Sequence, residues 1–396
     1  MAESTDYDVI VVGGGPVGST TALKLAMGGF TVALLEKRVA ATLEHRASTF
    51  HPPTLEMLEP LGLTQTLIDQ GIIARSYQFR DAKQGKIVDL DYSVLDGDTK
   101  FPYRVQVEQS KLTAAALTAL EAEPNVTATL GSEVTAVREI DGGYEVDLDE
   151  SGVRRTVSSR YLIAADGSRS IVRETYDVPF VGHTYPERYL VITTSLPLEE
   201  LLEELAVVNY VADPVDWHVL LHNPSGWRVL FPTSPGVPDA DLLDPAFVRR
   251  QLERVVPDLA DYPVAHVTLY EVHRKVAGTF RIGSLFFVGD AAHVNNPLGG
   301  MGMNSGIHDG LLLADVLLAH DRGDATDADL DAWADARRNV ALTYVGEETE
   351  GNWNALRDQD EERRAAQRAT WQALGEDEEA RRRFLLTSSM LASVPR

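Results

Sequence analysis

The sequence predicts an α/β chain in which a parallel sheet comes first, a second and mainly antiparallel sheet follows, and helices close the C-terminal end. Three observations predict it. A short continuous β-branched run, Tyr7 to Val12, meets glycines at once, which is how a buried parallel strand reads. Alternating apolar and polar residues recur between Gln78 and Asp91, Val134 and Val157, and Tyr189 and Phe231, the period of half-buried antiparallel strands. After Asp309 the chain is almost entirely helical in pattern.

Taken in order, Tyr7 to Val12 is the first strand, and Ser19 to Met27 carries Ala and Leu at helical spacing up to Gly28-Gly29, a C-terminal cap. Phe30 to Leu35 is a second strand that ends in Glu36. Strand, helix and strand occupy about 30 residues, the size of a unit that implies a parallel sheet. Asp141-Gly142-Gly143 and Glu150-Ser151-Gly152 punctuate the middle alternating region as hairpin turns. The region from Tyr189 to Phe231, with prolines at its turns, forms a second sheet facing a substrate layer. Leu311 to Ala319 is apolar, whereas Asp324 to Arg396 is strongly charged with an apolar stripe, the pattern of helices packed on the outside. With no internal repeat and no low-complexity linker, the domains exchange chain: 1–75, 103–180 and 275–330 in the first, 76–102 and 181–274 in the second, and 331–396 as C-terminal helices.

The 396 residues are 44% apolar, enough for a substantial core, and 60 acidic against 36 basic residues give a net charge of −24. That charge repels phosphate backbones and anionic membranes, which argues against nucleic acid as a partner. No cysteine is present, so disulfides, thiolate metal sites, a cysteine nucleophile and a cysteinyl cofactor link are excluded; no metal site is expected. Met1 to Asp8 lacks the basic start of a signal peptide, and no apolar stretch approaches the roughly 20 residues of a spanning helix. The expectation is a cytoplasmic monomer or homodimer without stable membrane insertion.

Four motifs carry chemistry. Val11-Val12-Gly13-Gly14-Gly15-Pro16-Val17-Gly18 lies between a strand and a helix, with Glu36 eighteen residues after the last glycine. Its glycines permit a tight turn and close approach of a pyrophosphate to a helix N-terminus, and Glu36 accepts from an adenosine ribose; an acid there argues against a 2′-phosphate. Arg46 follows the second strand, where it either neutralises a pyrophosphate or is a solvated charge. The strand Tyr161 to Ala165 runs straight into Asp166-Gly167, with Arg169 and Arg173 close behind, at the edge where open α/β sheets bind ligands. Leu285 to Val288 runs into Gly289-Asp290, then Pro297-Leu298-Gly299-Gly300-Met301-Gly302-Met303-Asn304 feeds a helix whose exposed N–H groups suit an anionic ring.

Together these residues resemble the class A FAD-dependent aromatic monooxygenases, the p-hydroxybenzoate hydroxylase-like group, from about residue 5 to 345. The resemblance implies a Rossmann-like FAD-binding domain in which Gly13, Gly15 and Gly18, with Pro16 and Val17 between them, hold the ADP half of non-covalent FAD together with Glu36 and Lys37. It implies that Arg46 and Gln109 touch FAD, that Asp166 serves FAD and pyridine nucleotide use, and that Asp290 binds the ribityl chain. Pro297 would line the dioxygen site, and Gly300, Gly302, Met303 and Asn304 would present backbone to the ring. The match departs at Asn295-Asn296. The larger phenol hydroxylase type carries an extra C-terminal thioredoxin-like domain, against which this sequence offers about 50 residues of charged helix.

The implied reaction is hydroxylation of a small aromatic or heteroaromatic, phenol-like and acidic substrate: NADH or NADPH reduces FAD, and the reduced flavin captures dioxygen as a hydroperoxide. Heteroaromatic ring opening and isoprenoid reduction are the neighbouring alternatives, and an escort protein without activity is a third; no Trp-x-Trp-x-Ile-Pro halogenase signature is present. A base near the operating pH would activate a phenol, so His218, His222 and Tyr210 on the second sheet are candidates. His218 and His222 share a strand face by their even spacing, with Trp217 and Val219 on the other. Arg228 pairs either with a substrate carboxylate or with a neighbouring acid. His51 and His293 read chiefly as structural.

Overall fold

The computed structural model describes residues 5–40 and 47–395. The strand Tyr7–Val12 forms as expected and pairs in parallel with Val32–Glu36 on one side and Val153–Ala164 on the other. Leu285–Phe287 extends the row beyond Val153–Ala164, and Val126–Leu130 extends it beyond Val32–Glu36. The register aligns Val12, Leu35, Ala164 and Phe287 at one level. Glu36 and the turns after the other three strands therefore emerge at the same carboxyl edge, where open α/β sheets take their ligands. Glu133–Ile140 and Gly143–Glu150 fold back as a hairpin on Val153–Ala164, and Arg281–Ile282, antiparallel to Leu285–Phe287, completes eight strands.

The first helix starts at Pro16 rather than Ser19, because a proline fits the first turn, where its missing N–H has no acceptor to lose. It runs from Pro16 to Met27 and packs against Gln109–Glu121 and Met301–Asp321. The approach to the last is close. A Cβ on Gly310 would lie 1.9 Å from Thr21 Oγ1, and one on Gly306 would lie 2.9 Å from Val17 Cγ2.

The second sheet has eight strands in the spatial order His293–Val294, Val264–Ala277, Phe180–Thr194, Gly226–Pro232, His218–Asn223, Val208–Ala212, Ser76–Asp81, Gly85–Asp91. All neighbours are antiparallel except Ser76–Asp81 beside Val208–Ala212. Val264–Ala277 was no part of the expected alternating regions, and it pairs along nearly the whole of Phe180–Thr194. A three-stranded sheet of Thr49–Phe50, Arg104–Gln106 and Ile72–Ala74 lies apart from both.

The C-terminal helices do more than cover the outside. Trp371 stacks on Phe79 at 4.3 Å, and Leu385 and Leu391 enter the apolar cluster beneath the second sheet. Their apolar stripe is thus a face of the core rather than a support for it. Among the described residues no helix is long and apolar enough to cross a membrane.

Candidate active site

At the carboxyl edge of the first sheet, Gly13 has φ 105°, and a Cβ there would sit 2.3 Å from Ala165 O. A Cβ on Gly18 would lie 1.9 Å from Gly13 O. Both glycines are required by backbone contact. Gly15 differs, with nothing within 4 Å of its Cβ position. It begins the helix Pro16–Met27 without a side-chain cap or an acid in the first turn, leaving the positive end of the helix open. Glu36 accepts from Gly14 N–H at 2.7 Å and from Arg38 N–H at 2.9 Å, which fixes the carboxylate while sparing lone pairs for a hydroxyl. Lys37 is exposed beside it. Arg46 lies outside the described residues.

Asp166 leaves its strand toward the same edge, and its Oδ1 is buried without a partner in the protein. Burial pushes its carboxyl above the usual range against the pull of Ser170 and nearby backbone N–H groups. Arg173 donates to Ala291 O at 3.0 Å and Ser168 O at 2.7 Å, so it ties the Asp166 turn to the Gly289–Ala291 turn. Asp290 stands exposed on the latter.

Gly300, in the left-handed region at φ 68°, begins the helix Met301–Asp321, again without a side-chain cap or a first-turn acid. A Cβ on Gly300 would meet Thr49 Cβ at 2.8 Å. Asn304 is a brace: Oδ1 accepts from His51 N–H and Thr54 Oγ1, and Nδ2 donates to Thr49 O and Gly300 O. With the amide saturated, the helix start offers backbone. His51 Nε2 donates to Gly299 O at 2.9 Å, and burial, then Arg104, hold its pKa well below the ordinary value. His308, bonded to Thr54 Oγ1, is pushed down to about 3 by burial and then by Arg337. His293 pairs with Asp309 at 2.7 Å, and Asp309 pairs with Arg337 at 2.7 Å. All three histidines brace the loop. Asn296, where the family pattern ran out, holds the loop to the second sheet through Tyr189 Oη at 3.1 Å and caps Leu298 N–H.

The second sheet presents two unlike faces. Tyr189, Tyr210, Trp217, Val219 and Leu230 gather with Leu298 of the proline-glycine loop. Leu190, Leu220, Trp227, Val229 and Phe231 gather instead under the helix Pro245–Val255. His218 lies 5.7 Å from Phe231 and bonds Asp216 O, and His222 stacks on Trp227 at 4.5 Å. The two histidines do share a face, but it is the one turned away from the loop. Spacing shows which residues share a face, not which face meets the other domain. Tyr210, Arg228 and Pro297 fall on the loop side. Arg228 pairs with Glu108 at 3.4 Å, next to Gln109, which opens the helix Gln109–Glu121.

Residues 6–347 match the family of FAD binding domains. Over 387 residues, 96% of this chain and 94% of the relative, the sequence is 32% identical to para-nitrophenol 4-monooxygenase of Pseudomonas sp. strain WBC-3. The chain belongs to the FAD-binding aromatic monooxygenases. It is also 32% identical over 363 residues to 6-hydroxy-3-succinoylpyridine 3-monooxygenase of Pseudomonas putida, covering 88% of each. The crystal structure of p-nitrophenol 4-monooxygenase from Pseudomonas putida DLL-E4 superposes with a TM-score of 0.89 at 30% identity over 96% of both chains.

The crevice of this flavoprotein fits its cofactor. Open space stands at Gly15, two helix starts are uncapped, and the orphaned Asp166 oxygen waits for a donor. One residue of the monooxygenase gave no signal in the sequence. Arg104, a lone cation within Phe101-Pro102-Tyr103-Arg104-Val105, is 2% exposed and lies among Tyr77, Tyr92 and the C-terminal Ser388. Its partners are distant in the chain, which no local pattern records.

Proposed function

We propose that the enzyme hydroxylates a small acidic aromatic or heteroaromatic ring, with NADH or NADPH as electron donor and dioxygen as oxidant. FAD, when bound, supplies the redox and oxygen-transfer chemistry. In this reading the ADP half lies on Gly13, Gly15, Pro16, Val17 and Gly18, with Glu36 and Lys37 at the ribose. Asp166, Asp290 and Gln109 hold its middle, and the backbone of Gly300, Gly302, Met303 and Asn304 meets its ring. The observation that carries the reading is the uncapped start of Met301–Asp321 behind Pro297-Leu298, with Leu298 buried against the aromatic face of Tyr189, Tyr210 and Trp217. That juxtaposition excludes water and sets an aromatic wall against the position of the flavin, with Tyr210 and Arg228 as the polar groups that orient a ring. The relatives act, by their names, on a nitrophenol and a hydroxylated succinoylpyridine, both rings of this class.

The test is a screen of phenols, aromatic acids and hydroxypyridines for acceleration of NADH or NADPH oxidation, with product mass measured. A gain of one oxygen is the expected result. A gain of two with ring cleavage replaces hydroxylation by ring opening, and a screen that yields only peroxide removes the reading.

A further inference from the structure

Arg104 is out of keeping with the other buried arginines. Arg337 faces Asp309 and Arg228 faces Glu108, while Arg80 and Arg173, without a carboxylate, donate to Gln78 Oε1 and to backbone carbonyls. Among the described residues no carboxylate pairs with Arg104. Its guanidinium carbon lies 4.4 Å from the ring centre of Tyr77 and 5.5 Å from that of Tyr92. Nη2 donates to Ser388 O at 3.1 Å, while Nε and Nη1 are buried without a partner. A buried cation without an anion is costly, and so is each unmade hydrogen bond to it.

The neighbours are unsatisfied in the same sense. Gln106 is two residues along the same strand and therefore on the same face. Its Oε1 accepts from Thr49 at 3.1 Å, whereas its Nε2 has no acceptor. Tyr92 Oη, fully buried, faces the Arg104 guanidinium but makes no hydrogen bond of full geometry. Tyr77 and Tyr210 pack edge to face at 5.9 Å, and Tyr77, Tyr92 and Tyr210 belong to the apolar cluster that includes Leu298. The aromatic cluster thus continues from Leu298 of the proline-glycine loop across Tyr210 to Arg104, Tyr92 and Gln106, where buried donors lack acceptors of full hydrogen-bond geometry.

We infer that Arg104, with Gln106 Nε2 and Tyr92 Oη, anchors an anionic oxygen of the aromatic substrate, a phenolate or a ring-borne carboxylate. This rests on the proposed hydroxylase activity and names the substrate charge that the site selects. Arg228, already paired with Glu108, orients the ring but is not the anchor. The tyrosines favour the arginine's charge, which is held above its ordinary range although burial opposes it, so the anchor stays cationic at every working pH.

The experiment titrates the FAD-loaded enzyme, without nicotinamide, by the change in the flavin spectrum. Two pairs of ligands serve: 4-nitrophenol against 4-nitroanisole, and 3-(3-hydroxyphenyl)propionate against its methyl ester. The wild-type enzyme should prefer the anion of at least one pair by about tenfold or more, and the responsive pair shows whether phenolate or carboxylate is bound. In Arg104→Met that preference should vanish through loss of at least about tenfold in affinity for the anion, with the neutral partner unchanged. In Arg228→Gln it should persist. The inference is overturned if wild type shows no preference, if Arg104→Met retains it, or if Arg228→Gln alone abolishes it. The wild-type comparison decides even where a variant fails to fold. Because binding is read without turnover, an intact preference with no hydroxylated product would refute the activity and leave the anchor, and the converse result would refute the anchor alone.

Discussion

The helices at the crevice and the helices at the periphery begin differently. Pro16–Met27 and Met301–Asp321 start at Gly15 and Gly300, with no side-chain cap and no acid in the first turn. Pro245–Val255, Asp327–Val340 and Glu361–Glu376 start at Asp244, Thr326 and Asp360, each of which accepts from a first-turn N–H. Capping is worth roughly 1 kcal/mol per helix and is open to any Ser, Thr, Asp or Asn. Pro52–Leu58, Thr64–Gln70 and Gln109–Glu121 also start without a cap, but Pro16–Met27 and Met301–Asp321 are the uncapped helices that begin at glycines of the crevice, and in the proposed reading their N–H groups and positive ends serve an anionic partner, the pyrophosphate at one and the flavin ring at the other.

The sharpest way to break this contrast is to give a crevice helix a cap. Gly15 has ordinary backbone angles and nothing within 4 Å of its Cβ position, so Asp fits. Gly15→Asp should hold or raise the melting temperature of the apoprotein, yet weaken FAD binding by about 100-fold through a carboxylate set against the pyrophosphate. Flavin titration of the apoprotein checks it. Unchanged FAD affinity would mean that the open helix end is not the phosphate site.

A second effect concerns the braces behind the other crevice helix. His308 titrates at about 3 in the fold and near 6.5 when unfolded. Because the folded pKa is the lower, the unfolded chain binds more protons between those values, and stability falls as pH drops through that window. His51 is shifted in the same direction by burial. His308→Gln should remove about one proton from the acid dependence of stability, worth a few kcal/mol at pH 4, as measured by urea unfolding across pH 4 to 7. An acid slope identical to wild type would place the proton uptake elsewhere.

Local signals were legible where a residue type answers to its own backbone. Gly13 and Gly18 are there because a neighbouring carbonyl occupies the Cβ position, and such a need shows directly as a glycine. The strand Tyr7–Val12 and the hairpin turns at Asp141 and Glu150 appear as read. Non-local pairings were not legible. Val264–Ala277 carries Thr, Glu, His, Arg and Lys among its apolar residues because much of it is only half buried, which blurs the alternation. Arg104 meets Ser388 across 284 residues, and His218 lies under a helix that begins 27 positions later. Charge and spacing do not record such meetings.

Asp244 supplies the matching test at the periphery. Its carboxylate accepts from Ala246 N–H at 2.9 Å and Phe247 N–H at 3.1 Å, far from the crevice on the outer face of the second sheet. Asp244→Ala should cost about 1 kcal/mol in denaturant unfolding with FAD affinity and turnover unchanged. A fall in FAD affinity would erase the distinction between the two sets of helices.

The smallest effect falls on the same outer face. His218 sits against Phe231, with its imidazole pKa lowered by burial and its Nδ1 held by Asp216 O. A base for the phenol must reach the ring, and the sheet itself stands between His218 and Tyr210, whose side chains leave opposite faces of neighbouring strands. His218→Ala should therefore lower stability modestly while the pH profile of kcat/KM keeps both of its limbs. Loss of a limb would show that a proton crosses the sheet, and the division between an aromatic inner face and a packed outer face would fail at that strand.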